Sequence, residues 1–299
     1  MKDEENYFEE WLDYHFALGF DSIYIYNNSP TFELKNWYDS TRNHATYKKV
    51  EVLHWLDDTV DNQSNAYHDC VQKFGRNGPK NDYIAFIDAD EFFVIQSQKY
   101  TDIQGILADY LVPYGGGLTV NWMLVGSGKS ISSPLPITKR NQYRAKIAHN
   151  VVKSIAKTSD YIEHKNPHGL TLESPAAVHT TKYPGCLFKP SSSTWASDHE
   201  RPSDIVLLYH YRYRSKKEYI FRRCVRGEAA GNTWCDDEGE GITDDETPDH
   251  IQIVPGEVFD DTPWQFLTSR VPKYRVYNEF EDFHSPSHST HSLRGLIGG

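Results

Sequence analysis

The sequence predicts an α/β protein in which helices flank a mixed, mostly parallel central sheet. Segments with apolar residues at helical spacing alternate with short apolar segments through residue 126, which is typical of a layered sheet. One short segment, residues 83–87, is apolar throughout, as expected for a strand that is covered on both faces. We therefore expect this strand to lie centrally and to have parallel neighbours.

The composition limits the classes to which the chain can belong. Its 299 residues, 38% of them apolar, suffice for one large domain or for a domain with an appendage. The net charge of −11 argues against a nucleic-acid binder, which must neutralise phosphates. No apolar run has the length of a membrane span, and the four cysteines lack the spacing of a zinc site. We expect a cytoplasmic protein without a transmembrane segment, which partners could hold at a membrane.

The first half of the chain supplies most of the predicted elements. Acids crowd the first turn of a helix over residues 4–18, where the helix dipole favours them, and Gly19 is its expected end. The other predicted elements are strands at 22–28, 48–55 and 117–126 and helices at 63–75 and 102–112.

The second half carries weaker signals. Residues 127–204 predict irregular structure with a few strands, followed by an apolar strand that begins at residue 204. Ser215 and Glu218 have the spacing of a capping box, which predicts a helix ending near Gly227. We expect a main domain over residues 1–230, and an acidic loop with a partly irregular C-terminal extension over residues 231–299.

Three carboxylates, Asp88, Asp90 and Glu91, directly follow the apolar strand. Unpaired carboxylates repel one another, and their burial is costly. Mn²⁺ or Mg²⁺ would relieve both effects, because these ions take oxygen ligands and bridge to phosphates. Ligands of α/β sheets also bind beyond the carboxyl ends of the strands. We therefore predict a metal–diphosphate site here; the alternative is a loop whose acids cap the next helix.

Several segments, in order, resemble glycosyltransferase family 92 and its family-2-like relatives. The opening "DEENYFEEWLDYHFALGFDSIYIYNNS" resembles the start of these enzymes, and "YIAFIDADEFF" resembles their D-x-D strand. Further similar segments are "VNWMLVGSGK", "VVKSI", "NPHG" and "LLYHYRYRSKKEYIFRRCVRG". The resemblance implies a GT-A fold, which combines a nucleotide-sugar-binding sheet with an acceptor-binding second half.

The resemblance also implies roles for single residues at the donor site. Asp88 would contact the nucleotide, directly or through metal-bound water, and Asp90 would bind Mn²⁺ or Mg²⁺. His210, at the end of a late strand, is similar to the distal metal ligand of many GT-A enzymes. The alternative for His210 is a buried histidine bonded to the backbone.

Further implied roles concern the base, the phosphates and the acceptor. Asn27 and Asn28 end the predicted strand at 22–28, where the family often carries an Asp that meets the base or ribose. The Asn at position 27 departs from that pattern. Lys153 would neutralise a phosphate, or would simply be solvated. Trp122 would wall the acceptor site by stacking on a sugar, or would pack in the core.

Inverting transfer also needs a base that deprotonates the acceptor hydroxyl. Many family-2 enzymes use a Glu-Asp pair, and none occurs here between residues 160 and 210. The side chains that could replace it are Glu163, His164, His168, Glu173, Asp198 and Glu200. His168 is favoured because its turn resembles a family motif, and Glu163 is kept as a second candidate; a His that only holds the turn is the alternative.

One departure concerns the first strand of the family, which precedes the opening motif and helps form the nucleotide pocket. Met1 lies almost on that motif, so we expect a sheet that lacks this strand or has it truncated. The sheet would then have an exposed edge or gap. A C-terminal segment such as residues 250–259 could fill it.

Together these features and the resemblance predict a metal-dependent, inverting enzyme of polysaccharide biosynthesis. It would move a sugar from a nucleotide-sugar donor, a UDP-sugar above all, to a saccharide hydroxyl. A nucleotidyltransferase would use the same metal but would need a Gly-rich basic loop near the N-terminus, which the sequence lacks. A non-catalytic carbohydrate-binding descendant is the other alternative, supported by the missing strand and the absent Glu-Asp pair.

Overall fold

The computed structural model describes thirteen segments of the chain. They are residues 4–29, 33–41, 49–56, 59, 61–76, 82–126, 135–173, 176, 178–182, 201–215, 218–219, 221–222 and 257–279. No helix within these segments is both long enough and apolar enough to cross a bilayer.

Helices and strands largely alternate through residue 126, as the sequence predicts, and strands predominate beyond it. The helices are α1 (Glu5–Ala17), α2 (Glu33–Thr41), α3 (Asn62–Cys70), α4 (Ile103–Tyr110), α5 (Ile137–Arg140) and α6 (Thr262–Arg270). The strands are β1 (Ile23–Asn27), β2 (Val50–His54), β3 (Tyr83–Phe86), β4 (Glu91–Ile95), β5 (Gly117–Leu124), β6 (Tyr143–Arg144), β7 (Val152–Lys157), β8 (Tyr161–Asn166), β9 (Gly169–Leu172), β10 (Val178–Thr180), β11 (Val206–His210) and β12 (Val258–Phe259). A π-helical turn, Val71–Arg76, extends α3, and a 3₁₀ helix, Pro272–Glu279, follows α6.

The predicted elements through residue 126 are all present, and their ends have identifiable causes. α1 ends where Gly19 takes a φ of 104°, a left-handed conformation that glycine adopts without strain. α4 begins at Asp102, whose carboxylate accepts a hydrogen bond from the Gly105 N–H at 2.9 Å. The capping box is also confirmed, because Ser215 Oγ accepts from the Glu218 N–H and Glu218 Oε2 accepts from the Ser215 N–H.

The central sheet is mixed, with the strand order β3-β7-β5-β11-β4 and with β10 also paired to β5. β5 runs parallel to β10 and β11, whereas the pairs β3–β7, β7–β5 and β11–β4 are antiparallel. The expectation of a mostly parallel sheet is therefore wrong for this sheet. The expectation of a central β3 is also wrong, because β3 ends this strand order and pairs antiparallel to β7.

The apolar character of β3 comes from coverage of its two faces rather than from parallel pairing. Ile84 and Phe86 are buried in a small core against α3. Tyr83 and Ala85 point the other way and pack against the main core. A strand at the end of the sheet therefore has a continuous apolar sequence, which explains why the prediction of a central, parallel strand is wrong.

β1 and β2 form a separate two-stranded parallel sheet beside α3. The Tyr24 ring stacks on Phe74 with centroids 3.9 Å apart, near the end of the π-helical turn. Further along β1, the Tyr26 hydroxyl donates to Asp69 Oδ2 at 2.6 Å, near the end of α3. β1 therefore runs opposite to the direction of this helix.

β3 crosses the same helix in the same sense as β1. Ile84 lies against Gly75 of the π-helical turn, whereas Phe86 contacts Tyr67 of α3 with centroids 5.0 Å apart. β1 and β3 therefore run in the same direction. They do not pair with each other, and no described strand pairs with the edges that they turn toward each other. A cavity of about 510 Å³ separates them.

The predicted loss of a first strand stays a prediction. This cavity borders the edges of β1 and β3. It is lined by consecutive residues 22–26 and 83–90, so both strands present their edges to it rather than one face. The segment suggested as a filler does not supply a strand there within the described residues. Val258 and Phe259 pair with β6, and residues 250–256 lie outside the described part of the chain.

Residues 257–279 pack on the main core. Trp264 and Leu267 of α6 join the same hydrophobic cluster as α1 and β4. The Tyr274 hydroxyl donates to Asp13 of α1 at 2.9 Å. The division of the chain at residue 230 stays a prediction.

Candidate active site

The D-x-D segment forms a tight turn between β3 and β4 at the wall of the cavity. The Glu91 N–H donates to the Asp88 carbonyl at 3.1 Å, and the Glu91 carboxyl accepts from the Asp88 N–H at 2.8 Å. Asp88 and Asp90 both line the cavity. The turn therefore delivers two carboxylates to one end of the gap between β1 and β3.

Helix α1 supports this turn through side chains of the opening motif. The Trp11 indole N–H donates to the Glu91 carbonyl at 2.9 Å, and the Tyr14 hydroxyl donates to the Phe93 carbonyl at 3.0 Å. Glu10 accepts two backbone N–H bonds at the start of α5. The motif thus positions the D-x-D turn, and Trp11 also lines the cavity.

Asp88 is paired with a lysine from the neighbouring strand β7. Lys153 Nζ lies 3.1 Å from Asp88 Oδ2 and 3.3 Å from the Tyr67 hydroxyl, and the Lys153 side chain is 0% exposed. Gln63 donates to the other carboxylate oxygen. Burial alone would raise the pKa of Asp88, but the charge and hydrogen bond of Lys153, together with His210, more than offset it and the pKa is lowered.

Lys153 is committed to this ion pair. Burial would lower the pKa of Lys153, but opposing contributions, first among them the charge of Asp88, more than offset burial and raise it. Lys153 does not line the cavity. Its charge therefore fixes the ionised form of Asp88, and the predicted direct contact with a phosphate stays a prediction.

Asp90 is surrounded by three cationic or basic side chains. Arg222 forms an ion pair with Asp90 Oδ2, Arg214 Nη2 lies 3.6 Å from this oxygen, and His210 Nε2 lies 3.5 Å from it. Burial would raise the pKa of Asp90, yet these neighbours, Arg222 first, lower it well below its usual value. Asp90 is therefore ionised and already paired.

The register of β11 brings His210 to Asp90. β11 pairs antiparallel with β4 so that His210 lies opposite Glu91, and the Tyr211 N–H donates to the Asp90 carbonyl at 2.8 Å. Burial lowers the pKa of His210, although Asp90 acts in the opposite direction. His210 Nδ1 has no hydrogen-bond partner among the described residues.

Glu91 differs from its two acidic neighbours. It is 0% exposed, and one of its oxygens, Oε1, lacks a hydrogen-bond partner among the described residues. Burial raises the pKa of Glu91 well above its usual value; Lys153 opposes this shift, and Asp88 and Asp90 add to it. The neutral form of Glu91 is therefore favoured, and only two of the three carboxyl groups carry charge.

His168 lies on the cavity wall, on the turn between β8 and β9. Its Nδ1 is 3.1 Å from the Val152 carbonyl, which can only accept, so Nδ1 carries the proton and Nε2 keeps its lone pair. Burial lowers the pKa of His168 to about 4. The Asn166 side chain accepts from the His168 N–H at 2.8 Å, so the residue also holds the turn.

The remaining predicted residues lie at different depths. Trp122, on β5, lines the cavity and meets His168 edge-to-face with ring centroids 5.1 Å apart. Asn28 lines the cavity, whereas Asn27 is buried and its Oδ1 accepts from the Ser29 N–H at 3.0 Å. Glu163 is exposed on β8 and is not among the residues that line the cavity.

Comparison with known proteins then decides the family. A family model for glycosyltransferase family 92 matches residues 1–228. The chain belongs to glycosyltransferase family 92. This glycosyltransferase therefore transfers a sugar from a donor to an acceptor, and every charged side chain described above lies within the matched residues. No curated protein matches the chain.

The side chains at the D-x-D turn of this glycosyltransferase are chemically suitable ligands for a hard divalent cation, but they are not arranged around one ion. In the described part of the chain, no three His, Cys, Asp or Glu side chains are grouped to hold a metal ion. Asp88 and Asp90 nevertheless share one turn at the cavity wall, and His210 reaches Asp90. Oxygen ligands of this kind suit Mn²⁺ or Mg²⁺. A cation at Asp90 would have to displace Arg222.

Sequence reasoning missed the cations of this glycosyltransferase that pair with Asp90. Arg214 and Arg222 belong to the late segment that resembles the family, yet no spacing rule links them to a turn more than a hundred residues earlier. The available signal was electrostatic. A buried carboxylate requires a partner, and arginines near the end of an apolar strand are natural candidates.

Proposed function

We propose that this family 92 enzyme has a GT-A fold and transfers a sugar from a nucleotide-sugar donor, UDP-linked, to a saccharide hydroxyl with inversion. The observation that carries the proposal is the turn with Asp88 and Asp90, two ionised carboxylates at the end of a cavity of about 510 Å³. This volume suits a small-molecule site. Asn28, at the exit of β1, would meet the base or ribose.

Mn²⁺ or Mg²⁺ is part of the proposal. Asp90, with Asp88 and His210, would hold the ion, and the bound ion would neutralise charge on the departing diphosphate. Lys153 keeps Asp88 ionised across the neutral pH range, as described above. The buried, neutral Glu91 shapes the turn and leaves the two aspartates as the charged ligands.

His168 is the proposed proton acceptor. Its pKa of about 4 leaves it neutral at neutral pH, with the Nε2 lone pair available. An anionic donor beside it would raise this pKa and make the imidazole a stronger base. Trp122 would form the adjoining wall of the acceptor site. Glu163 is the weaker candidate, because it is exposed outside the cavity lining.

Calorimetric titration with UDP tests the donor half of the proposal. We expect binding in the presence of Mn²⁺, loss of binding in EDTA, and at least about a tenfold weaker affinity for Asp90→Asn, because a charged ligand is lost. Asp39→Asn is the matched control, since Asp39 is an exposed carboxylate on α2 that pairs with Lys35. Absence of binding to UDP, GDP, CDP and dTDP alike would favour the non-catalytic descendant.

Turnover tests the acceptor half. With a donor identified by binding, His168→Asn is expected to keep its affinity for UDP and to lose transfer to a saccharide. The anomeric configuration of the product, read by NMR, distinguishes inversion from retention. Unchanged turnover in His168→Asn would remove His168 as the base and direct attention to Glu163.

A further inference from the structure

Two arginines pair with Asp90, and only one of them faces the cavity. Arg214 is buried and has two further partners: its Nη2 lies 2.5 Å from Glu4, and its guanidinium lies 4.2 Å from the Tyr7 ring centroid, with 6% of the side chain exposed. Arg222 lines the cavity, and its side chain is 15% exposed. Arg222 is therefore the cation of this pair that a ligand can reach.

The backbone that carries Arg222 is anchored independently of Asp90. Four residues earlier, Glu218 makes two bonds of 2.8 Å with the Arg140 guanidinium and closes the capping box with Ser215. The Arg222 side chain can thus change its partner while its attachment point stays in place. A long side chain with a planar fork of donors suits both a carboxylate and a phosphate.

The charges around the D-x-D turn make simple addition of a metal ion unfavourable. Asp88 already pairs with Lys153, and Asp90 already pairs with Arg222. Arg212 also lines the cavity and adds positive charge. A divalent cation alone would have to displace Arg222 and would then face it at short range. A diphosphate bound at the same time removes this cost, because its negative charge attracts both the metal ion and Arg222.

We propose that Arg222 is a donor-binding residue, which pairs with Asp90 in the donor-free enzyme and moves to the donor diphosphate when a divalent cation binds at Asp90. The inference rests on the proposed function and adds a specific residue to it. Metal and donor then bind cooperatively. The metal ion displaces Arg222 from Asp90, and the donor diphosphate supplies negative charge to the metal ion and to Arg222.

The first measurement is Mn²⁺ binding without nucleotide, read from the EPR signal of free Mn²⁺. Arg222→Gln removes the competing charge, so we expect Mn²⁺ to bind at least about tenfold more tightly than to the wild type. Arg222→Lys keeps the charge and is expected to stay close to the wild type. Arg270→Gln is the control, since Arg270 is an exposed arginine on α6, outside the site.

The second measurement is UDP binding at saturating Mn²⁺. Arg222→Gln is expected to bind UDP at least about tenfold more weakly, and Arg222→Lys should fall between it and the wild type, because lysine lacks the bidentate fork. Tighter metal binding together with weaker nucleotide binding is a pair of opposite shifts. A loss of folding would weaken both.

The outcomes separate this inference from the proposed function. Equal Mn²⁺ affinity in Arg222→Gln, or a weaker one, would overturn the competition at Asp90. UDP affinity that is unchanged in Arg222→Gln would overturn the diphosphate contact while leaving the proposed function intact. A wild-type protein that binds none of the nucleoside diphosphates overturns the proposed function itself, and the Mn²⁺ titration still reports on the exchange at Asp90.

Discussion

The buried ion pair between Lys153 and Asp88 should make the two residues strongly interdependent in stability. Asp88→Asn leaves a fully buried ammonium without its partner, since Lys153 is 0% exposed, and we expect a cost of about 3–5 kcal/mol. Lys153→Met leaves Asp88, whose side chain is 35% exposed, so water can compensate in part. We expect this variant to cost about 1–3 kcal/mol. Methionine keeps much of the buried stem.

The double variant, Asp88→Asn with Lys153→Met, provides the decisive free energy of unfolding. With both charges removed, neither desolvation cost remains, so the loss should be smaller than the sum of the single losses by at least about 2 kcal/mol. Urea denaturation of the four proteins measures this coupling energy. Lys35→Met is the control, because Lys35 and Asp39 form an exposed helical pair at 2.6 Å, and we expect a change within about 0.5 kcal/mol.

Additivity would refute this reasoning. If the losses of the two single variants sum to that of the double variant within about 0.5 kcal/mol, the pair is not coupled and Lys153 does not hold Asp88 in its charged form. The role of Lys153 would then have to be sought at a phosphate, as the sequence suggests.

Two further predictions concern α1. Tyr14→Phe deletes only the hydroxyl that donates to the Phe93 carbonyl, so urea denaturation should show a free energy of unfolding that is lower by about 1–2 kcal/mol. The control Tyr143→Phe, at a residue 50% exposed, should change it by no more than about 0.5 kcal/mol. Equal losses in the two variants would show that the hydrogen bond does not contribute to stability. Burial lowers the pKa of His15 from 6.5 to about 4. Below pH 6.5 the unfolded chain therefore binds the proton first, and stability falls by up to about 3 kcal/mol as the pH decreases to 4. His15→Phe should flatten this part of the stability profile, and an unchanged slope would contradict the assignment.

The local elements and the position of the candidate site could be predicted from the sequence. Periodicity and the Gly19 signal fixed α1 and its end, and the run at 83–87 followed by Asp88 and Asp90 marked the wall of the cavity. These features depend on neighbours along the chain, where spacing alone decides which face a side chain occupies. The family resemblance was likewise legible in short segments, and the match to residues 1–228 confirms it.

Only the tertiary structure decided which strands pair and which charges meet. The apolar run of β3 is compatible with a central parallel strand, and antiparallel pairing with β7 follows from chain crossing that no local pattern encodes. The partners of the two aspartates come from distant parts of the chain, Lys153 from β7 and Arg222 from the segment after β11. The sequence supplies the carboxylates, but their charge states depend on burial and on these cations, and both are properties of the folded chain.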